Sequence, residues 1–170
     1  WADKKGLKRT EGHRHGRETA REIVRTCGEL QIDVLTLYTF STENWTRPRL
    51  EVEALKQYVE HSLRNETPEL NDNNVRLNAI GRTQDLPGRV QRALRDALAA
   101  TADNDGLLLN LALNYGGRTE LVDACRQLAQ QVQEGNLSVE DIDEERLSNA
   151  LYTGGLPDPD LLIRPSGEQR

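Results

Sequence analysis

The residues best suited to chemistry lie in one short stretch, residues 41–48, which we call the central loop. It offers hydroxyl, carboxylate, amide, indole and guanidinium groups, carried by Ser41, Thr42, Glu43, Asn44, Trp45, Thr46 and Arg47 before Pro48. Guanidinium groups hold anionic oxygens, and hydroxyl and amide groups donate hydrogen bonds, so this set suits a phosphorylated ligand. A capped turn that leads into a helix would use several of the same residue types, and the spacing alone leaves both interpretations open.

An apolar segment, residues 34–40, precedes the central loop directly and determines where the loop lies. Its β-branched and aromatic residues, without any charge, predict a strand buried on both faces, as parallel strands covered by helices are. In open α/β sheets, ligands bind beyond the carboxyl ends of the strands. The central loop is therefore predicted at a ligand-binding edge of a sheet.

Two further polar loops follow predicted strands. Residues 114–118 follow the strand predicted at 107–113, and residues 164–170 follow a short strand predicted at 161–163. Both loops contain glycine and arginine, so three loops together predict a phosphate-type ligand at one edge of the sheet. A GxxxxGK[ST] motif is absent, and no GxGxxG follows a strand, which argues against a P-loop ATPase and a dinucleotide-binding dehydrogenase.

The remaining pattern alternates helices with strands. Apolar residues recur at helical spacing in 20–30, 48–63, 90–98, 121–132 and 144–151, and a further strand is predicted at 75–80. Ser138 and Asp141 resemble a capping box that begins a short acidic helical segment. With no linker visible, the alternation predicts one α/β domain over residues 1–170.

Residues 1–17 are rich in lysine and arginine and contain three glycines. They predict a basic loop that can hold an anion, with a solvated charged tail as the alternative. His13 and His15 lack further ligands at usable spacing, so a zinc site is not predicted.

Composition narrows the class of protein. The net charge of −6 disfavours general nucleic-acid binding, and no long apolar run or signal peptide is present, so we expect a soluble, cytoplasmic protein. Cys27 and Cys125 lie on apolar helix stripes without CxxC spacing, which predicts buried, reduced thiols. Because the sequence contains no methionine and begins with Trp1, we expect it to be the interior of a longer protein.

Taken together, the central loop, Asn114-Tyr115-Gly116-Gly117-Arg118 and Arg164-Pro165-Ser166-Gly167-Glu168-Gln169-Arg170 resemble the motifs of the cis-prenyltransferases in order and separation. The resemblance, to undecaprenyl diphosphate synthase and its shorter-product relatives, runs from Trp1 to Arg170. It implies an α/β fold with a mainly parallel central sheet flanked by helices, and a homodimer. It also implies Mg²⁺-dependent condensation of isopentenyl diphosphate onto an allylic diphosphate, with a Z double bond formed each time. The product would be an isoprenoid lipid carrier for cell-wall synthesis, delivered to a membrane.

The resemblance also assigns residues to roles. The allylic diphosphate would be contacted by Trp1, Arg9 and His13, and the isopentenyl diphosphate by Arg164 and Arg170. The central motif is matched by Ser41, Thr42, Glu43, Asn44, Trp45 and Arg47. Within it, Trp45 and Arg47 would belong to a mobile flap, with Glu51 at its far end. The resemblance assigns Asn44 to proton removal, but a neutral amide is a poor base and is better suited to orienting a proton acceptor such as the diphosphate or a water.

The metal site implied by the resemblance needs an Asp just before Trp1 and a Glu after Arg170, which this sequence does not contain. Gln169 stands where some relatives have a His near the metal. We therefore assign no metal ligand within residues 1–170, and we expect these residues by themselves not to carry out prenyl transfer.

Two other classes of protein compete with the enzyme. A non-catalytic partner subunit of the same fold would be expected to lose the Asn44-Trp45 pair, which this chain keeps. A nucleotide- or phosphopeptide-binding module would share the basic sheet edge but would not need an apolar tunnel.

Overall fold

The computed structural model describes Ala2, Lys5, Gly6 and residues 9–164, without the side chains of Arg9, Thr10, His13 and Arg14. Helices and strands alternate in the order α1 (Arg9–Glu29), β1 (Val34–Ser41), α2 (Arg49–Asp72), β2 (Arg76–Ile80), α3 (Gly88–Ala100), β3 (Leu108–Tyr115), α4 (Gly117–Gln133) and α5 (Glu144–Ala150). Short 3-10 turns lie at Thr42–Thr46, Thr83–Asp85 and Val139–Asp141. The predicted α/β class is confirmed.

The described strands form one parallel sheet in the order β1-β3-β2. β3 is central, and Leu109 lies in register with Leu35 on one side and Leu77 on the other. Because β3 is paired along both edges and covered by helices, its leucine-rich run is buried over nearly its whole length. Parallel pairing brings the carboxyl ends of the three strands to the same edge of the sheet.

β1 differs from the prediction of burial on both faces. Among the described strands it pairs with β3 alone, and Tyr38 is 69% exposed. The register shifts around Thr39, between Tyr38 and Phe40, so the strand bulges just before the central loop. The bulge leaves Phe40 only 2% exposed, and it packs in the core beneath the central loop.

The core lies between the sheet and the pair α2 and α3. Apolar residues of α3 recur at helical spacing and are buried, namely Val90, Ala93, Leu94 and Ala97. On α2, Val52 and Leu63 are buried, and Leu55 and Val59 pack against them as the apolar stripe predicted. These contacts fix the beginning of α2, and hence the end of the central loop, against the sheet.

The predicted basic loop at residues 1–17 is largely wrong, because α1 begins at Arg9. Gly6 has φ +65, a conformation that favours glycine, but Gly12 and Gly16 lie inside the helix. An interior glycine costs about 1 kcal/mol of helix stability relative to alanine, which a 21-residue helix packed on the domain can absorb.

The predicted fourth strand at 161–163 is also wrong. Leu161, Leu162 and Ile163 have no regular structure and are 75%, 78% and 74% exposed. A run of three apolar residues cannot hold an extended conformation without a neighbouring strand, and the described part of the chain places none beside it.

The predicted capping box does not form, because the Ser138 hydroxyl donates to the Glu140 carboxylate and makes no cap hydrogen bond. The helix that follows is capped by Asp143, which accepts from the Arg146 N–H at 2.8 Å.

Both cysteines are free, as predicted, but Cys27 is half-buried and Cys125 is exposed. Helical spacing identifies a stripe, but it does not determine whether that stripe faces the core.

None of the helices in the described part of the chain combines the length and apolar character that a bilayer crossing requires.

Candidate functional site

The central loop folds as one 3-10 turn at the carboxyl end of β1. The Asn44 Oδ1 atom accepts from the Ser41 N–H at 2.9 Å. The Ser41 hydroxyl donates to Glu43 Oε2 at 3.0 Å, and the Thr46 hydroxyl donates to the Glu43 carbonyl at 2.8 Å. The Asn44 oxygen is therefore occupied by the loop backbone, while its Nδ2 group has no acceptor among the described residues and is the end available to a ligand.

Trp45 is held from three sides. Its ring packs edge-on against Phe40, with centroids 5.5 Å apart, and the Lys56 Nζ lies 5.1 Å from the ring centroid. The indole Nε1–H donates to Asn114 Oδ1 at 2.7 Å. An aromatic contact, a cation–π contact and a hydrogen bond together leave the indole little rotational freedom, although its residue is 40% exposed.

Lys56 is a site residue that the sequence analysis did not identify. It is 8% exposed and pairs with Glu53 at 2.5 Å, and this hydrogen bond lowers the pKa of the Glu53 carboxyl. In the sequence Lys56 only interrupts the apolar stripe of α2. Its spacing of three residues from Glu53 is the one available signal, and such pairs also occur on solvated helix faces.

The segment predicted as a loop at residues 114–118 consists of the end of β3, Gly116 and the first residues of α4; we call it the β3 loop, and it lies beside the central loop. Asn114 has φ +50 and is 4% exposed. A Cβ on Gly116 would approach Thr42 Oγ1 to 2.4 Å, so the two loops are in close contact at these residues. Two of the three predicted loops are thus brought together, and the third, at 164–170, is described only as far as Arg164.

A polar network continues from Asn114 into α4. Asn114 Nδ2 donates to the Arg82 carbonyl at 2.9 Å, and the Arg82 guanidinium binds Asp123 through two hydrogen bonds of 2.8 and 2.6 Å. The Tyr152 hydroxyl also donates to Asp123. Arg82, foremost, and Tyr152 hold the pKa of the Asp123 carboxyl well below its usual range. Arg82, Asp123 and Tyr152 were not predicted, since residues far apart in sequence form this network.

Tyr152, which belongs to this network, and the neighbouring Tyr115 are neutral donors at physiological pH. Burial and the hydrogen bond to Asp123 raise the pKa of Tyr152 to about 12. Burial, together with the hydrogen bond to Glu120, raises the pKa of Tyr115 as well. Glu120 accepts from the Tyr115 hydroxyl at 2.6 Å and from the Tyr152 N–H at 3.0 Å, which connects β3, α4 and the segment after α5.

The other predicted residues are placed as follows. Arg47 forms an ion pair of 2.7 Å with Glu51, one helical turn further on. Arg164 is exposed, near the end of the described residues. The backbone of Arg9 and His13 lies in the first turns of α1, but their side chains lie outside the described residues, as do Trp1 and Arg170. Their predicted contacts to diphosphates stay predictions.

The described residues do not form a magnesium site. No group of three or more histidine, cysteine, aspartate or glutamate side chains among them could hold a metal ion. Glu51 is paired with Arg47, and Glu43 accepts from Ser41. Magnesium is normally fixed by carboxylate oxygens, so the described part of the chain does not account for its binding.

The fold and the site define a class of protein: a parallel α/β domain with its candidate ligand-binding residues at the carboxyl edge of the sheet. A family model described as putative undecaprenyl diphosphate synthase matches residues 1–170. The chain belongs to this family of prenyl-transferring enzymes.

Individual relatives agree with the family model. The chain is 49% identical over 170 residues to isoprenyl transferases of Clostridium perfringens and Bacillus subtilis, which covers 100% of this chain and 67% and 65% of those proteins. It thus spans about two thirds of their length.

Two solved structures share the fold. Lavandulyl diphosphate synthase from Lavandula x intermedia, in complex with dimethylallyl diphosphate, superposes with a TM-score of 0.95 at 36% identity, over 100% of this chain and 74% of that one. A probable undecaprenyl diphosphate synthase from Campylobacter jejuni superposes with a TM-score of 0.69 at 30% identity, over 79% of this chain and 62% of that one.

Proposed function

We propose that this protein condenses isopentenyl diphosphate with an allylic diphosphate to form a Z-polyprenyl diphosphate. The observation that carries the proposal is the position of the Asn44-Trp45 pair, fixed beyond β1 and against the β3 loop. Membership of the family supports the same reaction class. The dimethylallyl diphosphate bound to the lavandulyl diphosphate synthase is an allylic diphosphate, which supports the substrate class.

The reaction requires separation of charge. The allylic carbon–oxygen bond breaks, diphosphate leaves with the electron pair, and the double bond of isopentenyl diphosphate attacks the allylic carbon. A carbon–carbon bond forms, and a proton leaves the isopentenyl unit. Guanidinium groups such as those of Arg47 and Arg164 stabilise the anionic oxygens, because charge-assisted hydrogen bonds are stronger than neutral ones.

Asn44 has a restricted part in this reaction. Its oxygen accepts from the Ser41 N–H, which leaves the NH₂ group as the end that can donate to a ligand. A neutral amide does not take up a proton at physiological pH, but it can donate to a diphosphate oxygen or a water that does. We therefore propose that Asn44 orients the proton acceptor.

Magnesium dependence belongs to the proposal as well, on the basis of the resemblance alone. A divalent cation would stabilise the leaving diphosphate. Chelation with EDTA should abolish product formation by the full-length protein, and added MgCl₂ should restore it. Undiminished turnover in EDTA would remove magnesium from the proposal.

The deciding experiment is product analysis. Full-length protein is incubated with labelled isopentenyl diphosphate and, in separate reactions, dimethylallyl, geranyl or farnesyl diphosphate, and the products are separated by length. The Asn44→Ala variant is the matched control. Z-configured product with at least one primer supports the enzyme. Diphosphate binding without product from any primer would instead indicate the non-catalytic partner subunit, which should then raise the activity of an active homologue.

We further propose a cytoplasmic homodimer whose product passes to a membrane as a cell-wall lipid carrier. These features depend on the resemblance. Cell fractionation would test the location, and recovery of the protein only as an integral membrane component would contradict it.

A further inference from the structure

We propose that Asn114 is a positioning residue, whose side-chain amide fixes the Trp45 indole and thereby the central loop. The amide oxygen, Oδ1, accepts from the indole Nε1–H at 2.7 Å. The amide nitrogen, Nδ2, donates to the Arg82 carbonyl at 2.9 Å. Only one orientation of the amide satisfies both partners, so the side chain acts as an oriented bridge between two loops.

The surroundings of Asn114 make this bridge rigid. The residue is 4% exposed, and its own carbonyl accepts from the Arg82 N–H at 3.3 Å. Arg82 is in turn held by two hydrogen bonds to Asp123 on α4. The Asn114 amide is thus connected to α4 through Arg82 and Asp123, and its oxygen accepts from Trp45.

Trp45 transmits this position to the loop. The residue directly before it is Asn44, whose oxygen is already used by the Ser41 N–H. Because Asn44 and Trp45 are consecutive residues of one short turn, a shift of the indole that moves the turn also moves the Asn44 NH₂ group. Displacements of about 1 Å at a reacting centre can reduce rate by roughly a hundredfold, so a residue without substrate contact can still control turnover.

The backbone at Asn114 explains which residues can serve there. Its φ of +50 lies in the left-handed region, where glycine, asparagine and aspartate are tolerated. Glycine would keep the backbone and remove the bridge. Aspartate would keep an acceptor for the indole but would lose the donor to Arg82.

The chain supplies a matched control at the opposite end of the sheet. Asn74 has φ +54, and its side chain also bridges two segments, with bonds to the N–H and the carboxylate of Asp105. Asn74→Gly is thus the same substitution at the same backbone conformation, away from the central loop.

The experiment uses full-length protein with Asn114→Gly, Asn114→Asp, Asn74→Gly and Trp45→Phe. The indole N–H signal of Trp45 is assigned by nuclear magnetic resonance through its loss in Trp45→Phe. In Asn114→Gly we expect this signal to shift upfield and its hydrogen exchange to become faster. In Asn114→Asp and Asn74→Gly it should stay hydrogen-bonded.

Kinetics provide the second measurement, which depends on the proposed prenyl transfer, whereas the resonance does not. We expect kcat to fall about tenfold or more in Asn114→Gly, less in Asn114→Asp, and little in Asn74→Gly. In the Trp45→Phe background, Asn114→Gly should have little further effect. An unchanged indole signal in Asn114→Gly would overturn the inference. So would losses of kcat that correlate with the free energy of unfolding of the variants and not with loss of the indole hydrogen bond. Altered signals in a protein that makes no product would overturn the proposed function alone.

Discussion

At the scale of single residues, Asn44 has two chemically distinct ends, and the structure separates them. The oxygen stabilises the loop through the Ser41 N–H, and the NH₂ group is free to face a ligand. Asn44→Ala removes both ends, whereas Asn44→Asp keeps an acceptor for Ser41, removes the donor and adds a negative charge. The pair of variants therefore distinguishes a turn residue from a residue of the reaction.

We expect Asn44→Ala to lower kcat by about a hundredfold or more, because the proposed role belongs to the chemical step, while allylic diphosphate binding changes far less. Asn44→Asp should lose a similar factor with smaller effect on stability. Steady-state kinetics and equilibrium binding of the allylic diphosphate provide the measurements. Near-normal turnover in Asn44→Asp would show that the cap to Ser41 is the whole function of the side chain.

The arginines assigned to isopentenyl diphosphate give the second prediction. Arg164→Lys and Arg170→Lys should each weaken its binding by about 1 to 3 kcal/mol, because an ammonium group cannot reproduce a bidentate guanidinium contact. Isothermal titration calorimetry measures the affinity, and circular dichroism checks that helix content is retained. If both variants bind as tightly as the wild type, the two arginines do not belong to the site.

Single residues also show the limit of the sequence analysis. The central loop can be singled out as a candidate site from the sequence, because its functional groups are adjacent in the chain. Lys56 and Asp123 were missed, since each looks like an ordinary helix residue until α2 and α4 are packed against the loops. Contacts between distant segments determine their roles, and residue type carries no signal of them.

At the scale of elements, the approach of the central loop to the β3 loop is controlled by Gly116. Its φ of −157 suits any residue, so the missing side chain matters only for space. We expect Gly116→Ala to destabilise the protein by about 1 to 3 kcal/mol, because its Cβ would lie 2.4 Å from Thr42 Oγ1. Urea denaturation measures the change.

The companion variant Thr42→Ala tests the cause. It removes Oγ1, and the remaining Thr42 Cβ would lie at 3.5 Å, an ordinary contact. The double variant should therefore recover most of the stability lost in Gly116→Ala. Additive losses would mean that the strain arises elsewhere.

The ion pair between Arg82, which follows β2, and Asp123 of α4 predicts that the stability of the protein depends on pH. Because the folded-state pKa of Asp123 is lowered, its contribution is present above about pH 4, the unfolded value, and is lost as pH falls further. We expect Asp123→Asn to be less stable than the wild type near neutral pH, with the difference shrinking toward about pH 2. Urea denaturation across this range measures it, and a constant difference would show that Asp123 is not held by Arg82 and Tyr152.

Among elements, the long periodic segments were predicted well, and so were the short elements β2 and α5, whereas the apolar run at 161–163 was not a strand. The apolar stripe of α3 and the leucine run of β3 are each buried along nearly their whole length. The apolar pattern in each segment is therefore enough to predict the element. The run at 161–163 has no neighbouring strand among the described residues, and the capping box fails because the Ser138 hydroxyl donates to Glu140, two residues further on. The basic loop predicted at residues 1–17 is wrong from Arg9 onward, because α1 accommodates Gly12 and Gly16 in its interior.

At the scale of the whole molecule, the family resemblance predicts a symmetric dimer. Light scattering of the full-length protein should give twice the mass of one chain at micromolar concentration. A monomer at that concentration would contradict the prediction. The described residues carry no dimer-specific motif, so this expectation depends on the family alone.

The strand order has a consequence for the chain as it is made on the ribosome. β1 and β2 both pair with β3, which comes last in sequence, and the Thr36 and Asn110 side chains that meet across β1 and β3 are 74 positions apart. Among the three described strands, neither of the first two has a partner until the third has been translated. Apolar residues such as Phe40 and Leu77 therefore lack their native contacts to β3 in the nascent chain. Such a delay exposes a growing polypeptide to aggregation, so synthesis should favour early shielding by a chaperone until β3 emerges.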